Sequence, residues 1–270
     1  MKLLNIILTF ALIISCGDDN FKKYAELSDF RVLGVISDTP EVSDINATVN
    51  LTPVVSDIEN EGRQLSIKVE GCLDPGISTG EEISCEGADH YQLVSESNVD
   101  LGVVLAASFY TGEIGPFNVT IPSNILSGRS PLESFNGLDY LIIFNFTAGD
   151  SEITTFKRIR VSSRPVKNTN PSLDSISNIS LTAEEQTLEA NISESPEIFD
   201  FYNLTGEVEQ GTEVYYLSWF TSSGEIENSQ LYAGESTKLN LAENLPDDAV
   251  VAVFLRDGRG GIDFLMKKLP

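Results

Sequence analysis

Short runs of alternating apolar and polar residues, separated by turn residues, constrain the fold of this chain more than any other feature. Apolar side chains occupy every second position in residues 65–69, 117–121 and 188–192, which is the period of a β-strand with one buried face. Residues 140–146, 214–220 and 250–255 have apolar side chains on both faces, as central strands do. Helical periodicity is weak throughout, and its best candidate is a short turn at residues 122–126. The pattern predicts an all-β chain built from β-sandwiches.

The length of the chain and one polar segment predict two domains. The 270 residues suffice for one large or two ordinary domains. Residues 162–171 combine Pro165 and Pro171 with a polar run between two strand patterns, which favours a stiff, extended linker. We therefore expect a first domain at residues 27–161, a linker at 162–170 and a second domain at 171–270.

The acidic composition excludes several classes of partner. The chain has 41 Asp and Glu against 17 Lys and Arg, a formal net charge of −24. Because phosphate contacts need clustered basic side chains, nucleic acid is not an expected partner. The same charge opposes adsorption to anionic lipid through a basic patch. His90 is the sole histidine, so a multi-histidine metal site is excluded and a histidine-based catalytic triad is disfavoured.

The first sixteen residues predict export. Lys2 precedes an apolar run at residues 3–14, which spans about 18 Å as a helix and is shorter than the roughly 30 Å hydrocarbon core. This predicts a signal peptide rather than a transmembrane helix. The residues Ile13-Ile14-Ser15-Cys16 resemble the bacterial lipobox. The resemblance implies a signal peptide at residues 1–15, lipidation of Cys16 and a lipidated tether at 16–26; a plain secretory signal is the alternative.

The residues after Cys16 bear on the location. Gly17 stands where many inner-membrane lipoproteins have aspartate, so this analogy favours the bacterial outer membrane. Asp18 and Asp19 resemble the acidic run that directs some lipoproteins to the cell surface. Both the periplasmic face and the cell surface therefore stay open. Each buried acyl CH₂ contributes about 0.8 kcal/mol, so we expect the membrane to be a partner through the lipid anchor.

Assignment of Cys16 to lipid leaves an even pair of cysteines, Cys72 and Cys85. A disulfide between them closes a short polar loop, residues 73–84, that contains Pro75 and two glycines. Loop closure of this size stabilises by about 3 kcal/mol in the chain-entropy model. A catalytic or metal-binding role is the alternative, but the chain has no CxxC spacing and no second histidine to support it.

Three segments resemble the PKD and bacterial immunoglobulin-like domains. Residues 55–67 are similar to their strand, acidic turn and strand, residues 216–220 with Gly224 to their aromatic central strand, and residues 256–261 to their closing hairpin. The resemblance implies two tandem immunoglobulin-like, PKD-like β-sandwiches after a lipoprotein signal peptide. The chain also resembles paired-domain lipoproteins of predatory and myxobacterial-type bacteria. That group has no defined activity, so the resemblance implies no function.

Several residues have side chains suited to chemistry, but we predict no catalytic residues, no metal and no cofactor. Asp57, Glu59 and Glu61 have carboxylates that suit Ca²⁺, but they also fit a solvated turn in an acidic protein, and the EF-hand pattern is absent. Paired carboxylates suit a glycosidase, yet nothing singles out one pair. We expect His90 in an exposed loop and Trp219 in the core, because Tyr215 and Leu217 share its face.

Two classes of function stay open for a chain of this kind. The first is a non-catalytic, lipid-anchored binding or recognition module of the envelope or cell surface, with a protein or glycan as partner. The second is a structural or assembly lipoprotein within an envelope complex. Exposed aromatic side chains on a concave face favour ligand binding, whereas a flat apolar patch favours a permanent partner.

Overall fold

A computed structural model of the chain describes residues 24–76, 82–105, 108, 110–180 and 184–269. The signal peptide predicted at residues 1–15, the lipidation site Cys16 and most of the predicted tether lie outside these residues. Within the described ranges, no helix is both long enough and apolar enough to cross a membrane.

The amino-terminal half of the described chain forms two sheets, which we call the first sheet pair. One has four strands, with β1, β3 and β6 paired in that order and β7 paired with β3; the other has five, in the order β2-β9-β8-β4-β5. Two short helices, α1 (Leu101–Val104) and α2 (Pro131–Asn136), lie between described strands. The strands are β1 (Arg31–Ser37), β2 (Glu41–Val42), β3 (Ala47–Ser56), β4 (Gln64–Leu73), β5 (Gln92–Asp100), β6 (Thr111–Glu113), β7 (Phe117–Ile121), β8 (Leu138–Ala148) and β9 (Ser151–Val161).

The two sheets of the first sheet pair share one hydrophobic core. Val49 and Leu51 of β3 pack in the same cluster as Leu65 and Ile67 of β4 and Phe144 of β8. All five side chains are at most 1% exposed. The alternation at residues 65–69 predicts a strand with one buried face, and this is confirmed, because the apolar side chains of β4 point toward the opposite sheet.

The carboxy-terminal half forms further antiparallel sheets, which we call the second sheet group. Its largest sheet has the order β17-β15-β19-β20, a three-stranded sheet has the order β11-β18-β16, and β10-β12 and β13-β14 are two-stranded. The strands are β10 (Ser175–Ile176), β11 (Glu185–Leu188), β12 (Ala190–Asn191), β13 (Ile198–Tyr202), β14 (Val208–Thr212), β15 (Tyr216–Thr221), β16 (Glu225–Ile226), β17 (Gln230–Tyr232), β18 (Thr237–Asn240), β19 (Val250–Arg256) and β20 (Ile262–Lys268).

Trp219 lies at the centre of the second core. It is 0% exposed and packs with Leu217 and Val253 of the four-stranded sheet and with Leu188 and Leu239 of the three-stranded sheet. The prediction that Trp219 is a core residue is confirmed. The chain is all-β, as predicted, and sheets that share a core in this way are consistent with β-sandwich packing.

One local prediction differs from the structure, and another agrees with it approximately. Residues 188–192 alternate as one strand would, but β11 ends at Leu188 and β12 begins at Ala190, and the two pair with different strands. The chain changes sheet at this point while both sheets border the same core, so the alternation continues. Residues 122–126 lead into a turn at residues 125–128, close to the short turn expected there. Asn124 has a φ of 68°, and the carboxylate of Asp44 accepts the backbone N–H groups of Ile125 and Leu126 at 2.8 and 3.1 Å.

A third apolar cluster joins the first sheet pair to the second sheet group. Leu33 of β1 and Val54 of β3 contribute from one side, and Phe220 of β15 and Phe254 of β19 from the other. The approach is close at Gly34, where a Cβ atom would lie 2.9 Å from Cε1 of Phe254. A side chain at this position would displace the Phe254 ring, so glycine is needed there for packing.

Residues 25–27, which precede β1, are hydrogen-bonded to β15 of the second sheet group. The N–H of Leu27 donates to the carbonyl of Thr221 at 2.7 Å, and the N–H of Thr221 donates to the carbonyl of Ala25 at 2.8 Å. Glu26 forms a parallel bridge with Thr221, and Ala25 is buried in the second core. The tether predicted at residues 16–26 thus overlaps the fold at its last residues.

The structure joins Cys72 and Cys85 in a disulfide, with Cα atoms 5.7 Å apart and a sequence separation of 13. Both cysteines are buried, at 0% and 3% exposed, and pack on Leu141 and Ile143 of β8. The bond therefore attaches the segment after β4 to the outer face of the five-stranded sheet. The predicted pairing is confirmed in the structure.

Removal of the disulfide is expected to destabilise the protein. The double variant Cys72→Ala/Cys85→Ala should lower the free energy of unfolding by about 3 kcal/mol, because the unfolded chain regains the entropy of an open loop. Urea denaturation followed by far-ultraviolet circular dichroism measures this, because the strands of both halves of the chain contribute to that signal. Reductant should lower the wild-type midpoint and leave that of the double variant unchanged; a wild-type midpoint insensitive to reductant would contradict the pairing.

Candidate functional site

A groove lined by tyrosines lies on the outer face of the β17-β15-β19 sheet. Its volume is about 640 Å³, within the usual range for a ligand site, about 300–1,000 Å³. Tyr24, Tyr216 and Tyr232 are 54%, 41% and 55% exposed. Polar side chains share the lining, among them Gln230, Glu235 and Arg256.

Strand pairing places two of these tyrosines side by side. Tyr216 of β15 pairs with Tyr232 of β17, and their ring centroids lie 5.2 Å apart. Leu217 and Trp219, the neighbours at odd positions on β15, point into the second core. Because side chains alternate along a strand, burial of this odd set turns Tyr216 to the opposite, outer face.

The third tyrosine comes from the amino-terminal segment. Tyr24 packs on Phe220 with ring centroids 5.5 Å apart, and its carbonyl accepts a bond of 2.8 Å from Nη1 of Arg31. The attachment of residues 25–27 to β15 therefore brings Tyr24 to the groove. Tyr24 therefore lines the groove although it is far in sequence from Tyr216 and Tyr232.

Arg256 forms the polar floor of the groove on the β19 side. Its Nη1 donates to Oγ of Ser218 at 2.9 Å and its Nη2 to the carbonyl of Leu33 at 3.3 Å. Its guanidinium also lies 5.4 Å from the centroid of the Phe254 ring. Burial lowers the pKa of Arg256, and the nearby Tyr24 acts in the opposite direction. The side chain is thus held in place by contacts within the protein.

Glu235 occupies the free edge of the sheet. One oxygen of its carboxylate accepts the backbone N–H of Tyr232 at 2.9 Å. An edge strand with free N–H groups can pair with another chain, and a side chain bonded to that edge blocks such pairing. A ligand in the groove therefore meets side chains at Tyr232 rather than an open backbone edge.

A second polar feature, the seam cluster, consists of Glu41, Arg164, Glu213 and Arg259. The carboxylate of Glu41 is 1% exposed, and it lies 3.4 Å from Nη2 of Arg259 and 3.8 Å from Nη1 of Arg164. Nη1 of Arg259 lies 2.9 Å from Glu213. The hydroxyl of Ser162 also donates to the Glu41 carboxylate, and the backbone N–H of Asn168 donates to it at 3.0 Å. Ion pairs thus connect β2 with the turn between β19 and β20.

Aromatic rings cover the arginines of the seam cluster. The Arg259 guanidinium lies 4.2 Å from the centroid of the Phe199 ring, and the Arg164 guanidinium lies 5.8 Å from the rings of Phe199 and Phe135. Burial lowers the pKa of Arg164 and raises that of Glu213. The carboxylate of Glu41 is bonded within the protein, although Nε of Arg164 is buried without a hydrogen-bond partner. The ion pairs of the cluster hold the two halves of the chain in one orientation.

Asp57 and Glu61, two of the three acidic residues whose carboxylates suit calcium, have other roles in the structure. Asp57 is 0% exposed, and its carboxylate accepts the N–H, Nε and Nη2 of Arg63 at 3.2, 3.1 and 3.0 Å. Glu61 lies in the turn with a φ of 49°. In the part of the chain that the structure describes, no group of three or more His, Cys, Asp or Glu side chains could hold a metal ion.

His90 lies in an exposed loop, as predicted, with a φ of 56°. Its carbonyl accepts the hydroxyl of Tyr140 at 3.0 Å, so its backbone has a structural role. The Cys16 thiol lies outside the described residues, and its lipidation stays a prediction.

Sequence reasoning missed the tyrosine groove, although one signal for it was present. The assignment of Tyr215, Leu217 and Trp219 to the core face already places Tyr216 on the other face of the same strand. No local sequence pattern predicts that Tyr24 and Tyr232 lie beside Tyr216, because their positions depend on pairing between distant segments. The seam cluster was missed for the same reason, since 218 residues separate Glu41 from Arg259.

The sequence matches no protein-family model, and it matches no curated protein. Among solved structures, a transglutaminase from red sea bream aligns with a TM-score of 0.27 and 6% identity, over 89% of this chain and 31% of the transglutaminase. The chain thus spans less than a third of that protein's length. A similarity at this level carries no argument about fold or function.

Lys157 of β9 is a buried lysine beside the seam cluster. It is 5% exposed, and its Nζ donates to the carbonyl of Gly260 at 2.5 Å. Burial lowers the pKa of its ammonium group to about 8, while the attraction of Asp257 acts in the opposite direction. A lysine in the unfolded chain has a pKa of about 10.4. Between about pH 8 and about pH 10.4, Lys157 therefore keeps its proton in the unfolded state and loses it in the folded state.

Stability is therefore expected to rise with pH between about 8 and about 10. Linkage predicts a gain of about 1–2 kcal/mol in the free energy of unfolding from about pH 7.5 to about pH 9.5. Urea denaturation at the two pH values measures it. The variant Lys157→Met should abolish the rise, whereas Lys238→Met, which removes an exposed lysine, should retain it. A wild-type stability that falls over this interval would contradict the argument.

Proposed function

We propose that this chain is a lipid-anchored, non-catalytic binding module of a bacterial envelope, with two immunoglobulin-like, PKD-like β-sandwiches. In this proposal Cys16 carries the lipid, the outer membrane is the location, and the tyrosine groove binds the ligand. The resemblance of residues 13–16 to a lipobox supports the anchor. The domains are those expected from the sequence, at residues 27–161 and 171–270.

The single observation that carries the binding proposal is the exposure of three tyrosine rings in one groove. Tyr24, Tyr216 and Tyr232 are each between 41% and 55% exposed, although large aromatic side chains gain most free energy when they are buried. Their arrangement on a concave face with polar neighbours is typical of a ligand site. The internal bonds of Arg256 keep the floor of the groove rigid before any ligand arrives, which lowers the cost of binding.

The tether limits where such a site can operate. Tyr24 follows Cys16 by eight residues, which span at most about 29 Å when extended. A lipid on Cys16 would therefore hold the tyrosine groove close to the membrane surface. The ligand of an anchored protein should accordingly be a component found at or near that surface.

An assembly role is a second candidate, and one surface favours it. The hairpin of β13 and β14 carries apolar side chains that face solvent: Ile198 and Val208 are 68% and 56% exposed, and Leu204 at its turn is fully exposed. Exposed apolar side chains grouped on one element favour contact with another protein. A permanent envelope partner would cover this hairpin and leave the tyrosine groove free.

Lipidation is tested by metabolic labelling with an alkyne fatty acid in a bacterial host. The wild-type protein should carry the label and fractionate with membranes, because acyl chains supply the affinity that an acidic surface lacks. The variant Cys16→Ala should lose the label, whereas Cys72→Ala/Cys85→Ala, which removes the other cysteines, should keep it. An unlabelled, soluble wild-type protein would refute the anchor.

Site-specific photo-crosslinking distinguishes the two functions. A photoreactive phenylalanine at position 232 should give adducts in native envelopes, and the same residue at position 91 serves as the control, since Tyr91 is similarly exposed at 52%. The binding proposal expects adducts at 232 and few at 91 or 204. Adducts of one envelope protein at 204, in stoichiometric amount and without adducts at 232, would instead establish assembly.

A further inference from the structure

We infer that the ligand of the tyrosine groove is a neutral glycan chain. This inference rests on the proposed binding function and names its ligand class. Three features of the groove support this ligand class: the aromatic lining, the charge of the polar residues, and the strand edge that Glu235 covers.

The tyrosines provide flat apolar surfaces with polar margins. Tyr216 and Tyr232 lie side by side at 5.2 Å between centroids, and Tyr24 lines the same groove. A pyranose ring has one face of C–H groups, which packs on an aromatic ring, and hydroxyl groups around its edge. A tyrosine ring matches this chemistry because it combines an apolar body with a hydroxyl group that stays in water.

The polar residues of the groove match hydroxyl groups better than they match charge. Gln230 has both a donor and an acceptor on its amide, and the groove holds one carboxylate and one guanidinium, those of Glu235 and Arg256. The guanidinium is already bonded to Ser218 and to the carbonyl of Leu33. The chain as a whole has a formal charge of −24, which repels polyanions. A neutral polyol therefore fits where an acidic polysaccharide does not.

The sheet edge argues against an extended peptide. Peptides that add a strand to a sheet bind through the backbone groups of an edge strand. At β17 the outward N–H of Tyr232 already donates to Glu235 at 2.9 Å. A peptide would have to displace this carboxylate, whereas a glycan needs only the side chains. Proline-rich peptides, which dock on aromatic rings without strand pairing, are the remaining competitor and are included in the test.

The experiment measures binding of the full-length protein to defined probes by glycan array and then by calorimetry. The probes are neutral oligomers of glucose, mannose, galactose and N-acetylglucosamine, acidic oligomers of uronic acid, and a proline-rich peptide. We expect binding to at least one neutral oligomer and none to the acidic ones. Tyr232→Ala should weaken that binding at least tenfold, equivalent to about 1.4 kcal/mol.

Matched variants distinguish a loss of ring stacking from a loss of folding and from nonspecific binding elsewhere on the surface. Tyr232→Phe keeps the ring and should retain binding within about threefold, equivalent to about 0.65 kcal/mol, whereas Tyr91→Ala alters a tyrosine outside the groove and should have no effect. An unchanged melting temperature for Tyr232→Ala confirms that the fold is intact. If this variant is destabilised, Tyr24→Ala provides the same test from the opposite wall.

Several results would overturn the inference. Binding of the proline-rich peptide or of acidic oligomers alone would assign another ligand class, and neutral-glycan binding that survives Tyr232→Ala and Tyr24→Ala would place the site elsewhere. Absence of binding to every neutral oligomer would also refute it. Crosslinks from position 232 to a protein, together with such a negative result, would leave the binding function standing and refute only the glycan.

Discussion

The sheet containing β15 and β19 packs on both faces: the second core covers one face, and the first sheet pair covers part of the other. Val253 faces the second core and Phe254 packs in the joint against Gly34 and the first sheet pair. A strand that borders two apolar regions must be apolar at consecutive positions, which is why residues 250–255 lack alternation. The same constraint locates the tyrosine groove, because the groove lies where the outer face of this sheet continues beyond the joint and meets solvent.

The joint combines apolar burial with buried charge, and the two contribute differently. Burial of apolar side chains stabilises by about 25 cal/mol per Å², whereas a buried ion pair loses much of its attraction to the cost of removing both charges from water. The apolar cluster around Phe254 therefore supplies most of the free energy of the joint. The ion pair of Glu41 and Arg259 favours one orientation of the two halves of the chain, because in any other orientation a buried charge would lose its partner.

Sequence reasoning recovered what depends on local periodicity and failed where distant segments meet. The strands at residues 65–69 and 250–255, the core position of Trp219 and the pairing of Cys72 with Cys85 were predictable from alternation, spacing and cysteine number. The segment at residues 162–170 has the sequence of a bare linker, because Pro165 within it and Pro171 directly after it are local signals. Asn168 within it is 2% exposed, since it bonds to Glu41 and Asp257, and neither contact leaves a trace in the nearby sequence.

The pairing of residues 25–27 with β15 has a consequence for the order in which the protein assembles. Synthesis delivers this segment well before its partner Thr221 and the neighbouring strand β19, and 223 residues separate Leu33 from the Arg256 that bonds to it. Contacts of such long range form slowly, because a large loop must close before they gain any free energy. Tyr24 can join Tyr216 and Tyr232 only after β17 has been synthesised, so a ligand that needs all three rings cannot engage a shorter nascent chain.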